Sequence, residues 1–154
     1  MEPYDITRLP SDLPAWLSDR LLEPILYVEG GWEYWLQIDF PSWLDVKSGM
    51  QYDFRREVTV GSVRLDWLIN DNSFNAEHWA VELKAQTHKY PMDRFVRAVK
   101  ADLDKLSRLD RGAFEPLMVA AAIDETTYDA LVTQLGFTDI CQWGSQVAFV
   151  WRQP

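Results

Sequence analysis

Four segments of the chain have apolar residues every three or four positions, the spacing of a helix that buries one face. The first is 11–23, where Ser11 is placed to cap the amino end and Pro24 stops the helix. The second, 32–47, has two interpretations. Its tryptophans suit a helix kinked at Pro41, whereas a local alternation of apolar and polar residues suits a strand. We favour the helix.

Two further helices have clearer boundaries. One begins at Pro91 and runs for about 18 residues, with an apolar stripe on one face. The other begins after Asp124, a good amino-terminal cap, continues to Leu135 and stops at Gly136. These two helices are expected to pack on a sheet formed by the remaining apolar segments.

The predicted strands are short apolar or alternating runs that end at turn residues. They are 53–60, 63–69, 78–84, 116–123, 138–143 and 146–151. Gly61-Ser62 and Gly144-Ser145 are two-residue hairpin signals. The order α-α-β-β-β-α-β-α-β-β predicts one α/β domain over residues 1–154, with a central mixed sheet flanked by helices and a carboxyl-terminal β-hairpin.

Composition narrows the class of protein. A single cysteine, Cys141, excludes an internal disulfide and is typical of a reducing compartment. No apolar run approaches the ~20 residues of a membrane span, and the amino-terminal residues lack the pattern of a secretory signal. We therefore expect a cytoplasmic protein with no membrane partner, for which a homodimer is one option. The net charge of −9 excludes a broadly basic nucleic-acid-binding surface.

The charge is unevenly distributed. Residues 84–111 hold eight cations and four anions, a local charge of +4, so the rest of the chain carries −13. One interpretation is a solvated helix face. The other is a strip that contacts the phosphates of a substrate, in which Arg94, Arg97 and Arg108 bind nucleic acid together with Lys105.

Strand alternation places charged side chains together inside the predicted sheet. In 63–69 the predicted core face consists of Leu65, Trp67 and Ile69. The opposite face then carries Asp66 and, from the next strand, Glu82 and Lys84, with Gln86 continuing the row. Two carboxylates in an apolar sheet repel each other unless a cation lies between them. Hard oxygen ligands favour Mg²⁺ or Mn²⁺.

A lysine beside such acids can orient or deprotonate a water, or stabilise charge on a phosphate. A metal, a water and a lysine are the parts needed for phosphodiester hydrolysis. The plainer alternative is a structural salt bridge among Asp66, Lys84 and Arg64.

The runs 56–66 and 79–86 resemble the PD-(D/E)xK nuclease superfamily, which has a restriction-endonuclease-like αβββαβ core. Residues 32–123 supply that order of elements. The resemblance implies that Asp66 and Glu82 bind the metal and that Lys84 activates water. It also implies a third catalytic, metal-binding acid on the first helix of the core, for which Glu33 is the best match and Glu57 the alternative. Gln86 matches a glutamine that some members carry after the lysine.

Two functions are compatible with these features. The first is a magnesium-dependent nuclease of PD-(D/E)xK type that acts on nucleic acid. The second is a non-enzymatic acidic protein on the same fold, such as an immunity or inhibitor protein of bacterial defence that neutralises a basic toxin or nuclease. Carboxylates that converge and are open to solvent favour the first function, whereas carboxylates that are buried and paired with cations favour the second.

Overall fold

The computed structural model describes residues 1–20, 31–110, 112–139 and 147–154. They form an α/β domain with a six-stranded mixed sheet of order β1-β2-β3-β4-β6-β5. The helices are α1 (Leu9–Arg20), α2 (Gly31–Ser48), α3 (Met92–Leu106) and α4 (Glu125–Leu135). The strands are β1 (Phe54–Val60), β2 (Val63–Ile69), β3 (Trp79–Ala85), β4 (Glu115–Ala122), β5 (Thr138–Asp139) and β6 (Ala148–Arg152). In the described ranges, no helix has the length and apolar character to cross a membrane.

Two apolar clusters hold the helices to the sheet. Side chains of α1 and α2 pack with alternate residues of the central strands in one cluster. Side chains of α3 and α4 pack with the other residues of those strands in a second cluster. Strands β3 and β4 are parallel and are joined through α3, whereas their outer neighbours pair antiparallel. This crossover brings α3 beside β3.

Most predicted elements are confirmed, including the helical interpretation of 32–47. The strand alternative is wrong because alternation would bury Ile38 with Leu36 and Phe40, yet Ile38 is 42% exposed while the other two are buried. Helix α4 has its predicted ends: the Asp124 side chain caps it, and Gly136 closes it with φ of 67°. That left-handed conformation suits glycine.

The amino-terminal helix begins earlier than predicted. Helix α1 starts at Leu9, directly after a 3-10 turn (Ile6–Arg8) that Asp5 caps. Ser11 is therefore inside the first turn, and its hydroxyl donates to the Arg8 carbonyl oxygen at 2.8 Å. The predicted stop at Pro24, Cys141 and the turn at Gly144-Ser145 lie outside the described residues. The terminal strand pairing is present, since β5 and β6 pair antiparallel.

The face assigned to Leu65 is wrong. Trp67 and Ile69 pack in the α1/α2 cluster, but Leu65 packs in the α3/α4 cluster. Pairing between β2 and β3 covers only 67–69 of β2, so Asp66 lies just beyond the ladder. Opposite Asp66 in β1, Glu57 has a left-handed φ of 49°. The alternation of side chains between the two sheet faces is therefore interrupted at Asp66 and Glu57. Beyond this point, towards the hairpin turn, the apolar residues of both strands pack in the α3/α4 cluster.

Candidate active site

Seven polar side chains from four elements lie close together as one cluster, in which ion pairs join five of them and a hydrogen bond joins the other two. Within it, α2 contributes two residues at i, i+4 spacing and α3 contributes two at i, i+3 spacing, so each pair shares a helix face. The members are Glu33 and Gln37 of α2, Asp66 of β2, Glu82 and Lys84 of β3, and Asp102 and Lys105 of α3. The sheet thus places the predicted Asp66, Glu82 and Lys84 between two helices that supply the remaining groups.

Asp66 is held from two sides. Its Oδ2 accepts the main-chain N–H of Leu83 at 2.7 Å, and its Oδ1 accepts the Gln37 amide at 2.8 Å. Burial raises the pKa of the Asp66 carboxyl, although the Leu83 N–H and the positive charge of Lys84 act in the opposite direction. The carboxylate is therefore fixed in orientation in an environment that disfavours its charge.

Glu33 is the acid on the helical side of the site. Its Oε1 lies 3.3 Å from Lys84 Nζ, and its Oε2 accepts the N–H of Ala85 at 2.9 Å. Burial raises the pKa of Glu33 despite the nearby lysine. The alternative acid, Glu57, pairs with Arg64 at 2.9 Å within the β1–β2 hairpin. The structure therefore places Glu33, and not Glu57, beside Lys84.

Lys84 is held between two acids. Its Nζ is 3.3 Å from Glu33 Oε1 and 3.2 Å from Asp102 Oδ2. Burial alone would lower the pKa of Lys84, but the two carboxylates outweigh it and the pKa is raised. Lys84 is thus an ammonium group at neutral pH, suited to orienting a water or stabilising negative charge. The alternative of a salt bridge among Asp66, Lys84 and Arg64 is wrong, because Lys84 pairs with Glu33 and Asp102. Arg64 pairs with Glu57.

Glu82 is the most deeply buried acid of the site, at 3% exposure. Its Oε2 lies 2.6 Å from Lys105 Nζ, whereas its buried Oε1 has no hydrogen-bond partner among the described residues. Burial, followed by repulsion from Asp66, raises the pKa of Glu82 to about 8. Near neutral pH this carboxyl therefore either keeps a proton or requires further positive charge.

The donor set can be tested against the expected Mg²⁺. All candidate ligands are oxygen atoms, as this ion prefers. Within the part of the chain that the structure describes, Glu82 Oε1 and Gln37 Oε1 are buried without a hydrogen-bond partner, and both side chains lie near Asp66. The residue types therefore fit a hard divalent cation. In the described ranges, no three His, Cys, Asp or Glu side chains are already grouped as metal ligands, and the amino groups of Lys84 and Lys105 lie against the carboxylates instead.

A cleft of about 390 Å³ opens beside the cluster. Glu33, Gln37 and Lys84 line it on the side of the acids, and Lys89, Tyr90 and Arg94 line the opposite part, together with Tyr34. Of the three arginines predicted to bind substrate, Arg94 is thus beside the site. Arg97 and Arg108 are exposed but do not line this cleft. Lys105 is engaged with Glu82.

Gln86 does not have the substrate-binding position expected for it. Its side chain is buried, and its amide nitrogen donates to Asp124 Oδ2 at 2.8 Å and to Thr127 Oγ1 at 2.9 Å. Its carbonyl oxygen accepts the N–H of Ile123 at 3.0 Å. Gln86 therefore ties the end of β3 to the start of α4, because both ends of its amide are already occupied.

The sequence analysis did not assign Gln37 and Asp102 to the site, and it expected Lys105 to contact the phosphates of a substrate instead of Glu82. Gln37 lies four residues after Glu33, and this i, i+4 spacing on a predicted helix was the signal that could have found it. Asp102 and Lys105 have the related i, i+3 spacing. Asp102 pairs with Lys84 of β3, and Lys105 pairs with Glu82. Both ion pairs depend on where α3 packs on the sheet, which residue spacing does not predict.

Comparisons of the chain with protein-family models, with curated proteins and with solved structures found no match. The resemblance to the PD-(D/E)xK nucleases therefore rests on the motif residues and on the order of elements. The fold itself defines an α/β domain with a mixed sheet.

Proposed function

We propose that the protein is a metal-dependent phosphodiesterase of PD-(D/E)xK type that hydrolyses nucleic acid, with Mg²⁺ or Mn²⁺ as its cofactor. One observation carries the proposal. Glu33, Asp66, Glu82 and Lys84, which are dispersed in the sequence, lie close together; Glu33 and Lys84 line an open cleft, whereas Asp66 and Glu82 are not among its lining residues. Such a constellation of perturbed acids and a partly buried lysine is typical of catalytic sites.

Each residue has a distinct proposed role. Asp66 and Glu82 would hold the ion, which when bound neutralises phosphate charge and lowers the pKa of water. Lys84 remains protonated, so it orients the attacking water or stabilises negative charge on the phosphate rather than removing a proton. Glu33 positions Lys84 through their 3.3 Å contact. Arg94 and Lys89 attract the phosphates of the substrate.

The charge of the cleft supports a phosphate-bearing substrate in spite of the net charge of −9. Among the residues that the structure describes, its lining includes three cations, Lys84, Lys89 and Arg94, and the carboxylate of Glu33. A locally positive cleft in an acidic protein concentrates anionic ligands at that place while the rest of the surface repels them. Binding is therefore expected to be local and sensitive to salt.

The test combines ion binding with cleavage. Calorimetry with Mn²⁺ is expected to show binding to the wild type and loss of binding in the Asp66→Asn/Glu82→Gln double variant. The matched control is Glu57→Gln/Asp71→Asn, which removes two carboxylates of the hairpin region. Labelled DNA and RNA are then incubated with Mg²⁺ or Mn²⁺ and each protein. Cleavage by the wild type and control alone supports the proposal, and cleavage by the double variant contradicts it.

A second candidate function is the acidic, non-enzymatic protein that neutralises a basic toxin or nuclease. The specific observation in its favour is that Glu82 is buried and paired with Lys105, and that Glu33 and Asp102 both face Lys84. On this hypothesis the ion pairs are structural, and the acidic remainder of the surface binds the partner. A wild type that binds no Mn²⁺ would favour this alternative. Both functions are proposed for the cytoplasm.

A further inference from the structure

The cleft beside the acids has an unusual combination of exposed aromatic rings and cations. Tyr34 is 53% exposed at its edge, although most large apolar side chains of the protein are buried. Tyr90 is half-buried, and both tyrosines line the same cleft as Lys89 and Arg94. Proteins that bind single-stranded nucleic acid combine exposed rings with cations, because bases stack on the rings and phosphates contact the cations.

Both rings are held by neighbouring guanidinium groups. Arg56 Cζ lies 5.3 Å from the centre of the Tyr34 ring, and Arg94 Cζ lies 5.1 Å from that of Tyr90. Tyr90 also contacts Phe95 edge to face, with ring centres 5.7 Å apart. These contacts favour one orientation of each ring, which lowers the entropic cost of stacking a base on them. Guanidinium planes are themselves surfaces on which bases stack.

We propose that this cleft binds one strand of nucleic acid, with a base stacked on Tyr34, so that the substrate is single-stranded or a frayed strand end rather than intact duplex. The inference rests on the proposed function, since it takes nucleic acid as the ligand of the same site. In a duplex the base faces are covered by their neighbours and do not reach a ring on the protein. The cleft volume of about 390 Å³ is on the scale of a small-ligand pocket, which suits a base that leaves the stack.

The experiment measures binding without cleavage. Fluorescence anisotropy is recorded in EDTA with labelled oligothymidylate, oligouridylate and a duplex of equal length, so that the result does not depend on hydrolysis. We expect single strands to bind at least about tenfold more tightly than duplex, Tyr34→Ala to weaken single-strand binding about fivefold or more, and Tyr34→Phe to bind like the wild type because the ring remains. The matched control is Phe74→Ala, which removes a ring that is 97% exposed in the loop at the opposite end of β3.

Each outcome decides the inference. Preference for single strands that depends on the Tyr34 ring supports it, and the ratio of oligothymidylate to oligouridylate affinity shows which sugar is preferred. Equal binding of duplex, an unchanged affinity of Tyr34→Ala, or no binding at all overturns it. Strand binding without cleavage in Mg²⁺ or Mn²⁺ contradicts only the proposed function, whereas cleavage confined to duplex contradicts only this inference.

Discussion

The main-chain N–H of Leu83 donates to the Asp66 carboxylate at 2.7 Å, just beyond the last pair of the β2–β3 ladder, Trp67 with Val81. The Asp66 carboxylate thus takes the place of a main-chain acceptor between the two strands. This hydrogen bond holds it near Glu82, the neighbour of Leu83 in β3. This relationship explains why two carboxylates lie close together in an otherwise apolar sheet. It also makes Asp66 both a structural acceptor and a candidate ligand, and these two roles are separable by substitution.

Asp66→Asn and Asp66→Ala are expected to differ in stability. Asparagine retains an acceptor for the Leu83 N–H, so its free energy of unfolding is expected to stay within about 1 kcal/mol of the wild type. Alanine leaves that N–H and the Gln37 amide without their acceptor, which costs about 1–3 kcal/mol. Urea denaturation measures both values. Equal stability of Asp66→Ala and the wild type would show that the Leu83 contact is dispensable.

Lys84→Met is expected to lower the rate of cleavage by about a hundredfold or more, since it removes the ammonium group from the proposed catalytic cluster. The fold is expected to persist because Glu33, whose pKa is already raised, can take up a proton. Rates are measured under single-turnover conditions at saturating Mg²⁺. Lys100→Met, which changes an exposed lysine of α3 outside the cleft, is the control. A Lys84→Met enzyme as fast as this control would remove the catalytic role.

Stability is expected to fall as pH rises through the neutral range. The pKa of Glu82 is raised from 4.5 to about 8 in the folded protein, first by burial and then by Asp66. Between these two values the folded state binds a proton that the unfolded chain has released, so the free energy of unfolding decreases with pH and levels off above the upper value. The decrease from Glu82 is on the order of a few kcal/mol.

This pH dependence is measured by urea denaturation in metal-free buffer between about pH 5 and about pH 9. Glu82→Gln lacks the titrating group and is expected to show a shallower decrease. Some slope is expected to remain, because the pKa values of Glu33 and Asp66 are also raised. Identical slopes for the variant and the wild type would mean that Glu82 does not hold its proton in the folded state.

Gln86→Ala is expected to lower stability and not substrate affinity. The change removes hydrogen bonds to Asp124, Thr127 and the Ile123 N–H in a buried position, and the groups left unpaired cost roughly 2–4 kcal/mol together. Asp124→Ala, which removes the helix cap, is a useful comparison, since it is expected to lower the free energy of unfolding by about 1 kcal/mol. Thermal and urea unfolding measure the loss. A variant with normal stability but weaker binding of oligonucleotide would support a substrate-binding role for Gln86.

Much of the fold could be predicted because its elements depend on local patterns. The apolar stripe of α3, the Asp124 cap and the Gly136 stop each act within a few residues. The ambiguous segment 32–47 shows the limit, since its pattern suited either period and burial on the sheet decided for the helix. Leu65 was assigned to the wrong face because alternation assumes a regular ladder, and the ladder stops at Trp67.

In the candidate site, too, some features followed from local sequence patterns and others from tertiary packing. The sequence by itself determined that Asp66, Glu82 and Lys84 lie on neighbouring strands near one another, because strand periodicity and hairpin turns are short-range properties. Only the tertiary structure decided that Glu33 rather than Glu57 faces Lys84, that Lys105 pairs with Glu82, and that Gln86 is buried in hydrogen bonds. Those contacts join elements that are distant in the chain. They depend on how the helices pack against the sheet, which residue spacing does not encode.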